Sequence, residues 1–259
     1  MARSLLIANW KLNLTPSESL ALAHAMREAL SPAQMASVDV VLCPSFTAIA
    51  PLQTALAGSA IAWGAQECFW EAKGAYTGEV SVRELADLAC RYCLVGHSER
   101  RQLFGETDAS VAKKVAALVA AGLRPVLCVG ESAAERAAGA MQTIVLRQVS
   151  AGISGIRTSG LAACERLVIA YEPVWAIGTG KTAQPQDAQV AHRLIRQALI
   201  AEWGAPAAQI PLLYGGSATP ETVGALAREP DIDGFLVGSA SLQAASFAKM
   251  IEIVAQVRQ

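Results

Sequence analysis

The sequence predicts an α/β protein with a (β/α)8 barrel, eight parallel strands ringed by helices. Three observations predict it. Short apolar runs alternate with longer amphipathic stretches along the whole chain, several runs are apolar on consecutive residues, and there are eight such units in 259 residues. A strand without in–out alternation is buried on both faces, as in a parallel sheet covered by its crossover helices. Eight strand–helix units in about 250 residues suit a closed barrel. An open, doubly wound sheet is the structural alternative. Its dinucleotide-binding form is weakened because no Gly-x-Gly-x-x-Gly follows the first strand.

In chain order the strands are expected at Leu5–Trp10, Val38–Cys43, Ala60–Ala65, Tyr92–Gly96, Pro125–Val129, Leu167–Tyr171, Pro211–Tyr214 and Gly234–Val237. The helices between and after them are expected at Ser17–Leu30, Phe46–Ala57, Ser81–Leu88, Ala109–Ala121, Ser132–Ile153, Gln186–Trp203, Pro220–Arg228 and Ser241–Val257. Thr15-Pro16 and Thr219-Pro220 pair an N-cap residue with a first-turn proline, and Gly122 follows a helix as a terminating glycine does. No linker, low-complexity tract or composition break divides the chain, so residues 1–259 are expected to form one domain.

Composition narrows the function. With 53% hydrophobic residues and 17% charged, the chain can bury a sizeable core. A net charge of −1, with lysine and arginine dispersed, gives no basic stripe for nucleic acid. The uncharged stretch from Val40 to Gln66 is cut by Pro44, Pro51 and Gly58 into strand, helix and strand, so no membrane span is expected. The start, Met1-Ala2-Arg3, lacks a signal-like pattern, and the apolar run from Leu5 stops at Lys11. The six cysteines are therefore read as reduced thiols at a cytoplasmic address.

In such a barrel, reactive groups belong at the carboxyl ends of the strands. Asn9 and Lys11 follow strand one, His97 and Glu99 strand four, and Glu172 strand six. Gly215-Gly216-Ser217 follows strand seven, and Gly238-Ser239 follows strand eight. Glu172 opens the run Tyr171 to Lys181, in which a carboxylate stands beside a lid-like segment. A carboxylate removes a proton from carbon best where water is excluded. His97 stands before a helical turn whose N-terminus disfavours imidazolium, which would keep the ring neutral. The Gly-Ser loops suit backbone N–H groups that approach phosphate oxygens. His24 and His192 lie within helical patterns and are expected at the surface. Gly180-Lys181-Thr182 resembles the end of a P-loop, but Trp175 occupies the place of its first glycine. Cys90 and Cys93 have metal or redox spacing without a second pair, and read as core residues.

These residues resemble the triosephosphate isomerase family over essentially the whole chain. The matching motifs are Asn9-Trp10-Lys11, Gly74 to Glu79, Val95 to Arg101, Cys128-Val129-Gly130-Glu131, Tyr171 to Lys181, Tyr214 to Ser217 and Gly234 to Gly238. The resemblance implies the TIM-barrel fold and the interconversion of dihydroxyacetone phosphate and glyceraldehyde 3-phosphate, with no metal or organic cofactor. It implies Glu172 as the base, His97 as the electrophile, and Asn9 and Lys11 as substrate ligands. Gly178, Ser217, Gly238 and Ser239 would hold phosphate through backbone N–H groups, with Glu99 in support. It implies a lid from Pro173 to Lys181, and a homodimer in which the loop bearing Tyr76 and Thr77 enters the neighbouring subunit. Two positions depart from the pattern. Glu67 stands where the family commonly has Asn, and Ser239 where Gly-Gly is usual. The alternative functions are another phosphate-binding barrel enzyme, of aldolase or synthase type, and a nucleotide-binding protein using Gly180-Lys181-Thr182.

Overall fold

Parallel pairing runs unbroken around the molecule. In the computed structural model, which describes residues 3–177 and 183–258 apart from the side chain of Leu161, β1 (Ser4–Asn9) pairs with β2 (Val38–Cys43). Then follow β3 (Ala62–Ala65), β4 (Tyr92–Val95), β5 (Arg124–Val129), β6 (Val168–Tyr171), β7 (Leu212–Tyr214) and β8 (Gly234–Val237). β8 returns to β1 with Leu6 opposite Phe235 and closes the barrel in sequence order. The open-sheet alternative is excluded.

The double-sided burial read from sequence is what the strands show. β1 is buried at every position. One parity, including Leu5, Ile7, Val41, Leu94, Val126 and Val168, fills the barrel interior. The other parity packs outward against the helices in two further clusters. Each strand therefore contributes to two cores, so continuous apolar runs are required.

The principal helices are α1 (Pro16–Ala29), α2 (Pro32–Ser37), α3 (Phe46–Ala55), α4 (Val82–Asp87), α5 (Ser98–Leu103) and α6 (Asp108–Ala120). They continue as α7 (Ala133–Ala137), α8 (Met141–Gly152), α9 (Gly160–Cys164), α10 (Pro185–Trp203), α11 (Pro220–Ala227) and α12 (Ala244–Val257). Thr15 caps α1 as expected, accepting from Glu18 N–H at 3.3 Å while Glu18 Oε2 accepts from Thr15 N–H at 2.8 Å. Among the described residues, no helix is long and apolar enough to cross a membrane.

Three sequence expectations need correction. The stretch Ser132–Ile153 is two helices, because Gly139 adopts φ +70°. It lets Ala140 N–H reach back to Glu135 O at 2.9 Å, which closes α7 before α8 begins. The helix expected from Ser241 starts at Ala244, after a 3-10 turn over Ser239–Leu242. His192, expected at the surface, is fully buried in α10. Its Nδ1 lies 2.7 Å from Ala188 O, and its ring meets Tyr171 edge-on at 5.6 Å. Burial lowers its pKa, so a neutral ring occupies the core. His24 is exposed, as expected. Cys90 and Cys93 are buried and unbridged, and burial pushes the Cys90 thiol up to about 12.

Glu67 begins the loop between β3 and α4. Its carboxylate lies 2.9 Å from Lys114 Nζ and 3.6 Å from Arg100, and Lys114 also pairs with Glu106 at 2.5 Å. A second carboxylate is thus tolerated because Arg100 adds a second cation. The Lys114 side chain is 6% exposed and the Glu106 side chain 3%. Removing one partner strands the other charges away from water. Lys114→Met should therefore destabilise the fold by about 3–5 kcal/mol in denaturant titrations. A loss below 1 kcal/mol would show that the cluster is effectively solvated.

Candidate active site

The ends of five strands, β1, β4, β6, β7 and β8, converge on one cavity. β1 ends at Asn9, whose Oδ1 accepts from Lys11 N–H at 3.1 Å and so closes a tight turn. Lys11 adopts φ +51°, a left-handed conformation disfavoured for any residue with a Cβ, which crowds the following carbonyl oxygen. Gln66, after β3, holds that turn by donating to Lys11 O at 2.9 Å and Cys43 O at 3.0 Å. Backbone strain of this kind persists where surrounding contacts over-determine it. The reward is position, because Lys11 Nζ then lies 2.6 Å from Glu99 Oε1. A Cβ added to Gly238 would sit 3.9 Å from the same ammonium, so Lys11 lies against the loop after β8.

β4 delivers His97 as the N-cap of α5. Its Nδ1 accepts from Glu99 N–H at 3.3 Å, which leaves the ring proton on Nε2. Nε2 in turn stands 3.0 Å from Glu172 Oε1. The other oxygen of Glu172 accepts from Ser98 N–H at 2.8 Å. Glu172 is 2% exposed at the end of β6. Gly130, at the end of β5, gives it room: a Cβ there would lie 1.7 Å from Glu172 O.

The helix terminus acts through the tautomer, as the Glu99 N–H contact shows. In this state of the site the helix terminus, which favours the neutral ring, is opposed by a neighbouring carboxylate. Burial is the largest influence on His97 and lowers its pKa. The charge and contact of Glu172, aided by Glu99, outweigh burial and raise it above the ordinary histidine value. Withdrawal of Glu172 from Nε2 would shift the ring back towards the neutral form.

Asn9, Lys11, His97 and Glu172 line one cavity of about 210 Å³ together with Gly215, Gly216, Ser217, Gly238 and Ser239. Ser239 adopts a negative φ, so the usual Gly-Gly is not required by backbone conformation here. Ser217 Oγ donates to Ala176 O at 2.9 Å, which ties the loop after β7 to the start of the expected lid. Gly178 and the P-loop-like Gly180-Lys181-Thr182 lie outside the described residues.

Two further acids and amides were not read from sequence. Gln66 is one. Glu131 is the other, fully buried after β5. It accepts from the Tyr171 hydroxyl at 3.1 Å, Trp175 Nε1 at 2.9 Å and Arg136 Nη1 at 3.2 Å. It thereby anchors the first residues after Glu172. The available signal was the same one that exposed Glu172, an acid immediately after an apolar strand. Among the described residues no group of three or more metal-ligating side chains gathers anywhere.

Comparison with known proteins decides what this rim belongs to. The sequence matches the family description "Triosephosphate isomerase" over residues 4–254. The chain belongs to the triosephosphate isomerase family. It is 51% identical to a triosephosphate isomerase of Moorella thermoacetica over 251 residues, covering 97% of this chain and 98% of that protein. It is 48% identical to one of Pelobacter propionicus, with 97% and 98% covered. A third, from Thiobacillus denitrificans, is 46% identical with 99% and 100% covered. Triosephosphate isomerase similarity thus extends over both the rim and the barrel that carries it.

The electrostatics of the pair are directly measurable. His97 should titrate above an ordinary histidine in the unliganded protein, and Glu172→Gln should move it downward, as followed by ring-proton NMR. The sign for stability follows. The contribution of a raised histidine is fully present below the unfolded value of about 6.5 and is lost as pH rises through the folded value. Unchanged titration in Glu172→Gln would show that the carboxylate does not govern the ring.

Proposed function

We propose that Glu172 is the base and His97 the proton-donating electrophile of an aldose–ketose isomerase. The chain interconverts dihydroxyacetone phosphate and D-glyceraldehyde 3-phosphate, a step of glycolysis. The observation that carries the residue assignment is the 3.0 Å contact between Glu172 and His97 Nε2 at the cavity that Lys11 and the Gly-Ser loops also line. An aldolase would need a Schiff-base lysine and has no use for this pair.

In the proposed mechanism, substrate entry draws the Glu172 carboxylate off Ser98 N–H and Nε2. It then takes a proton from C1 of dihydroxyacetone phosphate. The electron pair moves into the C1–C2 bond and onto the carbonyl oxygen, giving an enediolate. The Nε2–H of His97 donates to that oxygen, and the Lys11 ammonium with the Asn9 amide stabilises the charge as it forms. Glu172 returns the proton at C2, and His97 exchanges protons between the two oxygens. Ser217, Gly238 and Ser239, with Gly178, would hold the phosphate by backbone N–H groups. Glu99 sets the Lys11 ammonium and the His97 tautomer. No residue here calls for a metal or organic cofactor.

We further propose one barrel domain that works as a homodimer in the cytoplasm, with no nucleic-acid or membrane partner. The support is a surface that a monomer leaves uncovered. Leu12, next to Lys11, is 97% exposed, and Tyr76, Leu103 and Phe104 are exposed as well. Residues 71–79 are all exposed on a loop tied at its base, where Phe69 N–H donates to Val80 O at 2.8 Å.

Two measurements test this reading. Glu172→Asp retracts the base by about one methylene (~1 Å) and should lower kcat roughly a hundredfold or more, while denaturant stability changes little. A coupled assay from glyceraldehyde 3-phosphate reads it, and near-normal turnover would remove Glu172 from the role. Sedimentation should give a dimer mass at micromolar concentration, and Tyr76→Asp should shift it to monomer with most activity lost. A fully active monomer would overturn the dimer.

A further inference from the structure

Arg136 bridges the strand end that carries Glu172 and the helix to which the chain returns, α10. It stands on α7, a helix of five residues capped where Ser132 Oγ accepts from Glu135 N–H at 3.3 Å. Arg136 Nη1 lies 3.2 Å from Glu131 Oε1, the acid buried after β5. Its Nη2 lies 3.2 Å from Asp187 Oδ1, in the first turn of α10. The guanidinium carbon is over the Trp175 ring, 4.6 Å from its centre. One side chain thus meets two acids and one aromatic face from three separate parts of the sequence.

These contacts suit a guanidinium and not a simple ammonium. Among the described residues, Arg136 is the one cation within ion-pair distance of the wholly buried Glu131. A carboxylate out of water is costly unless a cation and hydrogen bonds hold it, so Arg136 fixes which way Glu131 faces. A second nitrogen of the same planar group serves Asp187, and its face serves Trp175. A lysine ammonium could make one of these contacts but not all three.

Glu131 in turn holds the chain on both sides of the base. Its carboxylate accepts from the hydroxyl of Tyr171, which precedes Glu172, and from Nε1 of Trp175, which follows it. Its carbonyl accepts from Val174 N–H at 3.2 Å, beside the bond from Glu172 N–H to Val129 O at 2.7 Å. Arg136 does not line the cavity at the rim, so its influence on the reaction must pass through these neighbours. A reacting group displaced by about 1 Å can cost roughly a hundredfold in rate. We propose that Arg136 is a positioning residue for the isomerisation, holding Glu131, Trp175 and Asp187 together and so setting the backbone from which Glu172 acts. The inference rests on Glu172 being the base.

Arg136→Met, assayed from glyceraldehyde 3-phosphate, should lose about tenfold in kcat while KM changes less than about twofold. Arg136→Lys should recover part of that loss. The His97 ring gives a second readout, independent of how much protein is folded, by ring-proton NMR. Burial acts on that ring most, followed by the charges of Glu172, Glu99 and Lys11. Loss of a remote positive charge alone would move its titration upward. Displacement of Glu172 moves it downward, and a downward shift is expected for Arg136→Met. Asp187→Asn leaves the buried acid paired and should lower kcat by a smaller factor, which keeps the test open if Arg136→Met folds poorly. In Arg136→Met/Trp175→Phe the two losses should not multiply, because both act through one anchor. The proposal is overturned if Arg136→Met keeps wild-type kcat, if its His97 titration stays or rises, or if Arg136→Lys recovers nothing. Glu172→Asp, measured alongside, separates the two readings. A large loss there beside an unaffected Arg136→Met removes Arg136 alone, whereas near-normal turnover in both removes the base as well.

Discussion

The position of the Glu172 carboxylate governs the rest of the site. The group leaves the end of β6, passes β5, and ends on Ser98 N–H and His97 Nε2, which belong to the end of β4. A carboxylate that is 2% exposed would cost several kcal/mol if it were left unpaired. The Ser98 N–H donor at 2.8 Å and the His97 imidazole 3.0 Å away, both following a strand that is not its neighbour, offset that cost. They can stand there only because the barrel is closed and the strand ends share one level. Gly130 removes the one atom that would push Glu172 off this path.

The same contact explains why His97 has two descriptions. While the carboxylate rests against Nε2, it pulls the ring towards its charged form. Once the carboxylate moves to a substrate carbon, its upward pull on the ring is gone; burial, Lys11 and the Glu99 N–H then favour the neutral ring with its proton on Nε2, against the remaining charge of Glu99. In the proposed mechanism, movement of the base would prepare its partner as a neutral donor. Proton transfer and ring neutrality are coupled through one distance.

The barrel and its rim were legible because both are matters of spacing. Consecutive apolar residues mark strands with two buried faces, and the residue after each run falls on the rim whatever its sequence number. Val38–Cys43 and Gly234–Val237 match the expected strands end to end. Contacts that depend on tertiary neighbours were not legible. The inner face of α10 buries Gln189, His192 and Arg196, each polar and each bonded outside its own helix or, for His192 Nδ1, to a backbone carbonyl. Polarity alone places such residues at the surface. Gln66 and Glu131 likewise gain their meaning from the Lys11 turn and from Trp175, which lie 55 and 44 residues away.

The charges lining the proposed site constrain how a phosphate can be held. Among the described lining residues, Lys11 is the sole lysine or arginine, and Glu99 already neutralises it at 2.6 Å. Glu172 adds a negative charge to the same cavity. A triose phosphate brings about two more, so side-chain charge alone would repel it. The remaining attraction must come from the backbone N–H dipoles of the loops after β7 and β8, where small residues leave those groups uncovered. In the proposed mechanism Ser239 would therefore serve as glycine does: it alters the side chain and leaves the donor. Lys11 is then free to act on charge that appears only during the reaction, because its pairing with Glu99 holds it in place without consuming its three donors.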